Sequence, residues 1–410
     1  MGGPMNVLVL NAGSNSLKFD IVLNELDRGK AGAEFGKKLV SGSYDDIGKQ
    51  DASFSLYEAK EKRQHERREI RDYPDAVKQL LDWIDSGNAR EQGIADLRDL
   101  HRVGHRVVHG ADRFDGPARI TAEALSQIEA LEDLAPLHNQ SALSVIRAAQ
   151  ARLGQDAPMF AVFDTVFHRS IPDEAALYAL PVDVAQRNKI RRYGFHGISH
   201  RYLTLRYAQI MRRPLEQLNL VTLHLEGGAS AAAIRGGKSL DTSMGFTPLE
   251  GLVMGTRCGD LDPAVVTYLM RKENLNAASI EKFLNTKCGL IGLSGQSADT
   301  RVLVRHMDDP RVRLALAIFS YRVRKYIGAY FAALGGAEAV VLGGGISENT
   351  PQVREQILQG LDWFGLTLDP ARNRDIIDRE GPITTDDSRV QAWIIPSEEG
   401  LMVAHEVSRC

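Results

Sequence analysis

Short apolar runs alternate with glycine-containing turns along this chain. Residues 6–10 (Asn-Val-Leu-Val-Leu) form an apolar run that is too short for a helix, and a turn sequence follows over residues 11–16. Apolar and charged residues then alternate over residues 17–21. A bounded apolar run and a period-2 alternation are both typical of strands. The pattern therefore predicts a strand, a glycine turn and a second strand.

The same pattern recurs in the second half of the chain. An apolar run over residues 220–225 leads into a turn with Gly227 and Gly228, and a second apolar run covers residues 231–234. The glycines of the two turns stand about half the chain length apart. A further glycine run, residues 343–345, follows a predicted strand over residues 338–342. We interpret the recurrence as a duplicated architecture.

Two stretches carry apolar residues at helical spacing and predict amphipathic helices. The first is closed by Gly87, and the second precedes the strand at 338–342. The residues are Val77, Leu80, Leu81 and Ile84 in the first, and Leu316, Phe319, Val323 and Ile327 in the second. Strands that alternate with helices and end in glycine loops predict an α/β protein whose ligands bind beyond the strand ends. We place the domain boundary near residue 165.

Composition narrows the class of protein. At about 150 residues per domain, 410 residues predict two or three domains. The chain has 50 basic and 53 acidic residues and a net charge of −3, which gives no support to a nucleic-acid or membrane-surface role. Three cysteines cannot form a disulfide framework. With no long apolar run and no basic leader, we expect a cytoplasmic protein.

Histidines four residues apart are candidate metal ligands: His101, His105 and His109 in one segment, and His196 and His200 in another. The first set lies in a β-branched, glycine-bounded segment that predicts a strand, in which residues four apart are separated by about 13 Å. Glycines at 194 and 197 disfavour a helix around the second set. No zinc site is therefore predicted.

Polar and cationic residues gather in the short turn-rich segments. Asn11, Ser14, Ser16 and Lys18 surround the first glycine turn, and backbone amides, hydroxyls and an ammonium suit phosphate oxygens. Further candidates are Arg106, His109, His138, Asp164, His196 and Arg257. Several cations, few carboxylates and three glycine turns favour metal-assisted transfer of a phosphoryl group.

An ordered series of longer motifs carries a resemblance to a known family. These motifs are residues 11–18 (Asn-Ala-Gly-Ser-Asn-Ser-Leu-Lys), 105–110, 134–139, 163–168, 193–197, 241–251, 254–257, 299–301 and 345–349. In them the chain resembles the acetokinase family, within the acetate and sugar kinase/Hsc70/actin superfamily. The resemblance runs almost from end to end.

The resemblance implies a fold, a reaction and an assembly. The fold would be a duplicated two-domain actin/sugar-kinase-like (ribonuclease H-like) α/β fold with a central cleft. Residues 1–165 plus 397–410 would form the N-terminal domain, and residues 166–396 the nucleotide-binding and dimerisation domain. The reaction would convert ATP and acetate reversibly to ADP and acetyl phosphate with Mg²⁺, or with Mn²⁺ in its place. The protein would be a homodimer.

The resemblance also implies roles for single residues. Asn11 and Glu399 would hold the metal. Arg106 would bind the carboxylate, and Asp164 would be the catalytic acid, acting by positioning or through the metal. His196 and Arg257 would neutralise the transferring phosphoryl. His138 would complete the catalytic set. The acyl pocket would be lined by Val108, Leu137, Phe195 and Pro248, whose apolar surfaces suit a methyl group.

Nucleotide binding would fall to three groups of residues. The first turn contributes Ser14, Ser16 and Lys18. The second phosphate loop is His224, Leu225, Glu226, Gly227 and Gly228. The nucleoside site would comprise Asp299, Thr300, Arg301, Gly345, Ile346, Ser347, Glu348 and Asn349.

The second phosphate loop departs from the family pattern His-Leu-Gly-Asn-Gly. Here Glu226 and Gly227 replace the glycine and the asparagine, and Cys258 stands where serine is usual. Two alternatives to acetate kinase activity stay open. The first is a propionate or butyrate kinase, because one methylene in an apolar pocket discriminates by only about 1–3 kcal/mol. The second is a nucleotide-binding regulator that has lost turnover through the altered loop. Direction, phosphoryl donor and physiological acid stay open.

Overall fold

The protein is described by a computed structural model over residues 3–25, 35–58, 61–131 and 136–410, apart from the side chains of residues 58, 61–62 and 136–138. The chain divides into two compact units. The first unit comprises Met1–Val166 and Glu398–Cys410, and the second comprises Phe167–Ser397. Each unit has its own sheet.

The first unit combines a sheet with helices that cover it. Its elements, numbered along the whole chain, are β1 (Met5–Ala12), β2 (Leu17–Asn24), β3 (Lys37–Asp45), β4 (Ser53–Glu58), β5 (Glu61–Arg67), α1 (Tyr73–Asp85), β6 (Arg102–Val107), β7 (Ala118–Arg119), α2 (Ala122–Glu129), α3 (Pro136–Leu153), β8 (Met159–Phe163) and, from the returning segment, α15 (Glu399–Ser408).

The first sheet has the strand order β5-β4-β3-β2-β1-β6-β8-β7. Strands β1, β6 and β8 are parallel neighbours, whereas β1 to β5 form an antiparallel meander. The predicted strands at 6–10 and 17–21 are β1 and β2, so this prediction is confirmed. Because the parallel strands all end at one edge, the residues after β1, β6 and β8 come together there.

The second unit carries the remaining elements: α4 (Asp173–Ala176), α5 (Val182–Arg187), α6 (Gly197–Met211), β9 (Asn219–Leu225), β10 (Ala229–Arg235), β11 (Lys238–Thr242), α7 (Pro263–Lys272), α8 (Ala277–Thr286), α9 (Gly289–Ser294), α10 (Thr300–Leu303), α11 (Pro310–Leu334), β12 (Ala339–Gly343), α12 (Gly345–Asn349), α13 (Pro351–Leu358), α14 (Pro370–Asp375), β13 (Gly381–Pro382) and β14 (Gln391–Ile394).

The second sheet repeats the plan of the first. Its order is β11-β10-β9-β12-β14-β13, with β9, β12 and β14 parallel and β9, β10 and β11 antiparallel. The strands predicted at 220–225, 231–234 and 338–342 are β9, β10 and β12. In both sheets a strand–glycine turn–strand hairpin lies beside two further parallel strands. The predicted duplicated α/β architecture is therefore confirmed.

Both predicted helices form, as α1 and α11, and the apolar residues that predicted them are buried. The prediction that Gly194 and Gly197 disfavour a helix around His200 is wrong. His200 lies in α6, which begins at Gly197 directly after His196. A glycine at the first helical position costs little, and burial of nine α6 residues against the sheet outweighs its low helix propensity.

The returning segment completes the first unit. Helix α15 contacts β1, β2 and β6. At Gly104 in β6 an added Cβ would lie 2.7 Å from Cγ1 of Val403 and 3.0 Å from Cγ2 of Val407, so the helix packs directly on the strand backbone. This packing carries Glu399, the first residue of α15, to the first sheet. Among the described residues, no helix has the length and hydropathy that crossing a bilayer requires.

Candidate active site

Four predicted site residues of the first unit form one hydrogen-bonded chain. Asn11, near the end of β1, accepts a hydrogen bond from Nη1 of Arg106 through Oδ1 (3.1 Å) and donates through Nδ2 to Oε2 of Glu399 (3.2 Å). The parallel pairing of Leu10 with His105 brings β1 and β6 into this register. Residues far apart in sequence thus meet at one strand edge.

Asp164 is the fourth member of this chain. It follows β8, is fully buried and binds Arg106 in a fork, with Nη2 to Oδ2 at 2.5 Å and Nε to Oδ1 at 3.3 Å. A bidentate guanidinium–carboxylate pair fixes both groups in direction. Arg106 is therefore oriented on one side by Asp164 and on the other by Asn11, with its side chain 15% exposed.

Two adjacent glutamates differ in their partners. Glu398 forms an ion pair through Oε2 with Nζ of Lys38 (2.5 Å). The same Nζ also lies 3.3 Å from Oδ1 of Asp20. Glu399 instead faces Asn11. An ammonium thus engages Glu398, whereas the carboxylate of Glu399 has a neutral amide partner.

The chemistry of Asn11 and Glu399 fits Mg²⁺. Both supply oxygen, and Mg²⁺ is usually bound by one or two protein carboxylates, with waters and substrate phosphates completing its coordination. Within the part of the chain that is described, no three or more His, Cys, Asp or Glu side chains group as a metal site. A magnesium ion that depends on substrate phosphate needs no such group.

The first glycine turn is compact and open to solvent. The amide of Gly13 donates to the carbonyl of Ser16 (2.8 Å), and the hydroxyl of Tyr73 donates to the carbonyl of Gly13 (2.6 Å). Ser14 is exposed, and Lys18, also exposed, is paired with Asn11 across β1 and β2. The turn thus offers its hydroxyls and an ammonium next to the Asn11 end of the strand.

The predicted acyl-pocket residues are apolar and mostly buried. Val108 follows β6 and is 6% exposed. In the second unit Phe195 is buried and Pro248 is half-buried. The side chains of Leu137 and His138 lie outside the described residues, so their predicted roles stay predictions.

In the second unit His196 stands at the start of α6 with φ +56, a left-handed conformation that is uncommon for a residue other than glycine. Its Nδ1 is hydrogen-bonded to Oγ of Ser230 (2.9 Å), and its ring lies 4.3 Å from that of His224. His224 in turn bonds Oγ of Ser199 through Nδ1 (2.8 Å). Backbone strain of this kind gathers at functional sites.

The second phosphate loop lies close to two basic side chains. A Cβ added at Gly228 would lie 3.1 Å from Cε1 and Nε2 of His196 and 3.3 Å from Nη2 of Arg257. The loop backbone therefore approaches both side chains closely. Nη1 of Arg257 donates to the carbonyl of Pro248 (2.7 Å), and burial lowers the pKa of Arg257 from its ordinary value.

Glu226 and Gly227, which depart from the family pattern, lie at the exposed tip of this loop. The amide of Glu226 donates to the carbonyl of Gly228 (3.0 Å). The Glu226 side chain is 49% exposed, and its Oε2 lies 3.7 Å from Nε2 of His224. Among the described residues, no heavy atom beyond Gly227 and its chain neighbours lies within 4 Å of a Cβ added at Gly227.

Helix α9 holds the segment that carries Arg257. Backbone amides of residues 288, 290 and 291 donate to the carbonyls of residues 256, 254 and 255, at 3.1, 2.9 and 3.0 Å. Gly289, with φ +64, is required there because an added Cβ would lie 2.2 Å from the carbonyl oxygen of Met254. Next to Arg257, burial raises the pKa of the Cys258 thiol to about 11, so this thiol stays protonated.

The predicted nucleoside residues are neighbours. Asp299 caps α10 and forms an ion pair with Arg301 (2.7 Å). Oγ1 of Thr300 lies 3.3 Å from Oγ1 of Thr350, at the end of α12. Helix α12 comprises the other five predicted residues; Ile346, Ser347 and Glu348 are buried, and Asn349 is exposed.

Sequence reasoning missed several residues that support the site. Ser199 and Ser230 orient the two histidines, and Lys38 binds Glu398. Ser397 bonds Ser199 through their hydroxyls (2.8 Å). Each depends on a partner distant in sequence, and serine or lysine at such positions gives no local signal.

Comparison with known proteins gives full-length matches. Residues 6–405 match the model of the acetokinase family. The chain is 47% identical to the acetate kinase of Solibacter usitatus (strain Ellin6076) over 409 residues, covering 99% of this chain and 98% of that protein. It is 43% identical to the acetate kinase of Thermotoga maritima over 406 residues, 98% of each protein.

Solved structures show the same likeness. The crystal structure of Porphyromonas gingivalis acetate kinase superposes with a TM-score of 0.88 at 35% identity, over 99% of both chains. A propionate kinase from Francisella tularensis subsp. tularensis SCHU S4 superposes with a TM-score of 0.87 at 34% identity, over 98% of both chains.

Proposed function

The chain belongs to the acetokinase family, and from this premise we propose that it transfers the γ-phosphoryl group of ATP reversibly to acetate, giving ADP and acetyl phosphate. It is an enzyme, a phosphotransferase with a carboxyl group as acceptor. The observation that carries the proposal is that two basic side chains, those of His196 and Arg257, both lie close to Gly228.

We propose the following reaction and the following roles for the site residues. An oxygen of acetate attacks the γ-phosphorus, the bond from that phosphorus to the bridging oxygen of ADP breaks, and ADP leaves with the negative charge. Arg106 binds the acetate carboxylate and is oriented by Asp164. His196 and Arg257 neutralise charge on the transferring group, since preplaced cations stabilise such a transition state.

Asn11 and Glu399 would hold Mg²⁺, or Mn²⁺, which would neutralise phosphate charge when bound. The nucleoside would lie on α12 and the segment from Asp299 to Arg301, with its phosphates at the glycine turns. ATP is an intracellular metabolite, so we propose a cytoplasmic enzyme. No nucleic acid or membrane partner enters this scheme.

The acyl acceptor has a second candidate. The propionate kinase from Francisella tularensis resembles this chain almost as closely as the acetate kinase structure does. Val108 is buried, and as a member of the proposed acyl pocket it favours the smaller acid, because a smaller residue there would make room for a longer chain. We therefore propose acetate as the preferred acceptor.

The test is the trapping of acyl phosphate with hydroxylamine. Purified protein is given Mg-ATP and acetate, propionate or butyrate in turn, and kcat/KM is compared. We expect acetate to be preferred, and Val108→Ala to raise propionate and butyrate relative to acetate. Equal kcat/KM for all three acids in the unmutated protein would refute the size argument, and no product with any acid would refute the proposed reaction.

We also propose that the enzyme is a homodimer. All residues of helix α7 are described, and none of them is buried. The helix nevertheless carries the apolar residues Val265, Val266 and Leu269, and Tyr268, whose relative exposure is 53%. An apolar helix face of this kind fits a second copy of the chain. Sedimentation equilibrium should give twice the mass of one chain, and Tyr268→Glu should shift it towards the monomer.

A further inference from the structure

The side chain of Glu348 points into the scaffold. It lies in α12, is 7% exposed, and its Oε1 accepts hydrogen bonds from the amides of Gly344 and Ser397, both at 2.9 Å. Gly344 belongs to the turn before α12, and Ser397 follows β14 in another part of the chain. One carboxylate oxygen thus joins two segments.

A buried guanidinium holds the other end of α12. Arg354 is fully buried; its Nη1 donates to the carbonyl of Ser347 (2.8 Å) and its Nε to Oδ1 of Asn373 (2.8 Å). Burial lowers the pKa of Arg354 to about 10, so it is protonated at neutral pH. Helix α12 is therefore fixed by an anion near its amide end and by a cation near its carbonyl end.

The Glu348 contact continues to the phosphate loop. The hydroxyl of Ser397 bonds that of Ser199 (2.8 Å), and Ser199 bonds Nδ1 of His224 (2.8 Å). The ring of His224 lies 4.3 Å from that of His196. Within the second unit, one chain of contacts runs from the nucleoside helix to the loop proposed to bind phosphates.

We propose that Glu348 is a positioning residue that couples the nucleoside helix α12 to the second phosphate loop, so that the two ends of ATP are bound cooperatively. This inference rests on the proposed function. Loss of the carboxylate would release Gly344 and Ser397 together, and the loop would lose its connection to α12 without losing any side chain that touches phosphate.

The first experiment measures ATP and ADP binding by calorimetry, together with kcat and KM. Glu348→Ala should weaken ATP about tenfold, as expected for lost bonds to a charged acceptor, while the KM for acetate changes less than about twofold. Glu348→Gln keeps an oxygen that can accept both amides and should restore ATP affinity to within about threefold. Exposed Glu355→Ala, on the neighbouring α13, is the matched control.

The second experiment is a double-mutant cycle with Ser199→Ala. If the contacts act as one chain, the loss of ATP affinity in the double variant should be smaller than the product of the two single losses. Independent, multiplicative losses would overturn the coupling. Should Glu348→Ala fail to fold, Glu348→Asp is the second variant. It keeps the negative charge, but its shorter side chain moves the carboxylate oxygen away from the amides of Gly344 and Ser397. It should therefore weaken ATP binding in the same way.

The outcomes separate this inference from the proposed function. Unchanged ATP affinity in folded Glu348→Ala overturns the inference even if the wild type makes acetyl phosphate. A wild type that makes no acyl phosphate, yet binds ATP in a Glu348-dependent way, refutes the reaction and retains the coupling.

Discussion

Gly228 separates two side chains that would act on the same phosphoryl group. A Cβ added at Gly228 would lie 3.1 Å from Nε2 of His196 and 3.3 Å from Nη2 of Arg257. Truncating either side chain therefore removes a basic group beside the loop and leaves the loop itself in place. We expect His196→Ala and Arg257→Ala each to lower kcat by about 10²–10³, with a change in ATP affinity of less than about threefold. Steady-state kinetics and calorimetry check both quantities.

The matched control for these two variants is Arg374→Ala. Arg374 is an exposed residue of α14, and its loss should leave kcat unchanged. A His196→Ala protein with near-normal turnover would contradict the role assigned to this histidine.

The altered phosphate loop makes a second prediction for single residues. Glu226 is half exposed, and position 227 has room for a side chain. Glu226→Gly with Gly227→Asn should tighten ATP binding, since it removes a carboxylate and adds a neutral donor. A like charge at about 4 Å costs about 4 kcal/mol at an effective dielectric of 20, and exposure reduces this cost, so we expect a gain of about tenfold or less.

The measurement is ATP affinity at low and at moderate salt, because screening should shrink the gain. No change at either salt would mean that Glu226 faces water and that the backbone of Gly227 binds phosphate alone. Weaker binding would mean that this loop has a phosphate geometry of its own.

Among the elements, we expect α9 to affect the proposed reaction most directly, because two of its backbone amides and that of the preceding Cys288 donate to the carbonyls of the Arg257 segment. Gly289→Ala would place a methyl 2.2 Å from the carbonyl oxygen of Met254. We expect a loss of kcat of at least tenfold, since a shift of about 1 Å in a catalytic group can cost about 10²-fold.

Gly335→Ala serves as the comparison. Gly335 has a similar φ of +71 at the end of α11, but apart from its chain neighbours no heavy atom of the described residues lies within 4 Å of an added Cβ. It should cost about 1 kcal/mol of stability through backbone strain alone, with kcat unchanged. Equal effects of the two variants on kcat would show that strain, and not the displaced loop, is responsible.

The elements also show what can be predicted from sequence. Strands β1, β2, β9, β10 and β12 and helices α1 and α11 follow from local periodicity and glycine turns, which act within a few residues. Helix α6 does not, because its burial against the second sheet outweighs two glycines. The site motifs were predictable from the resemblance, whereas Lys38, Ser199 and Ser397 act through partners brought near only by folding.

For the whole molecule, we expect buried histidines to contribute to destabilisation by acid. Burial lowers the pKa of His105 to about 3 and that of His168 to about 4. In the unfolded chain, histidine pKa values lie near 6.5, so below this pH the unfolded chain binds more protons than the folded chain. The free energy of unfolding therefore falls as pH drops from about 6.5 towards 4. Each group should cost on the order of 2 kcal/mol at pH 5.

Thermal unfolding at pH 7.5 and pH 5.0 tests this expectation. The wild type should lose several degrees in Tm at the lower pH. His105→Leu should lose less, because His105 has no hydrogen-bond partner among the described residues and its imidazole would no longer bind a proton on unfolding. An equal loss in both proteins would contradict the assignment to His105.

The packing of α15 on β1, β2 and β6 imposes an order on biosynthesis. The ribosome makes residues 1–166 first, but the helix that covers their sheet emerges only after residues 167–397 have been translated. At about 5–20 residues per second, the nascent first unit waits roughly 10–50 s for its missing helix. During that interval the surface around Gly104 is uncovered, and Glu399 has not yet been translated. A chain truncated after residue 397 would keep every residue of the second unit. Its first unit, however, would lack both a part of its core and one of its proposed metal ligands.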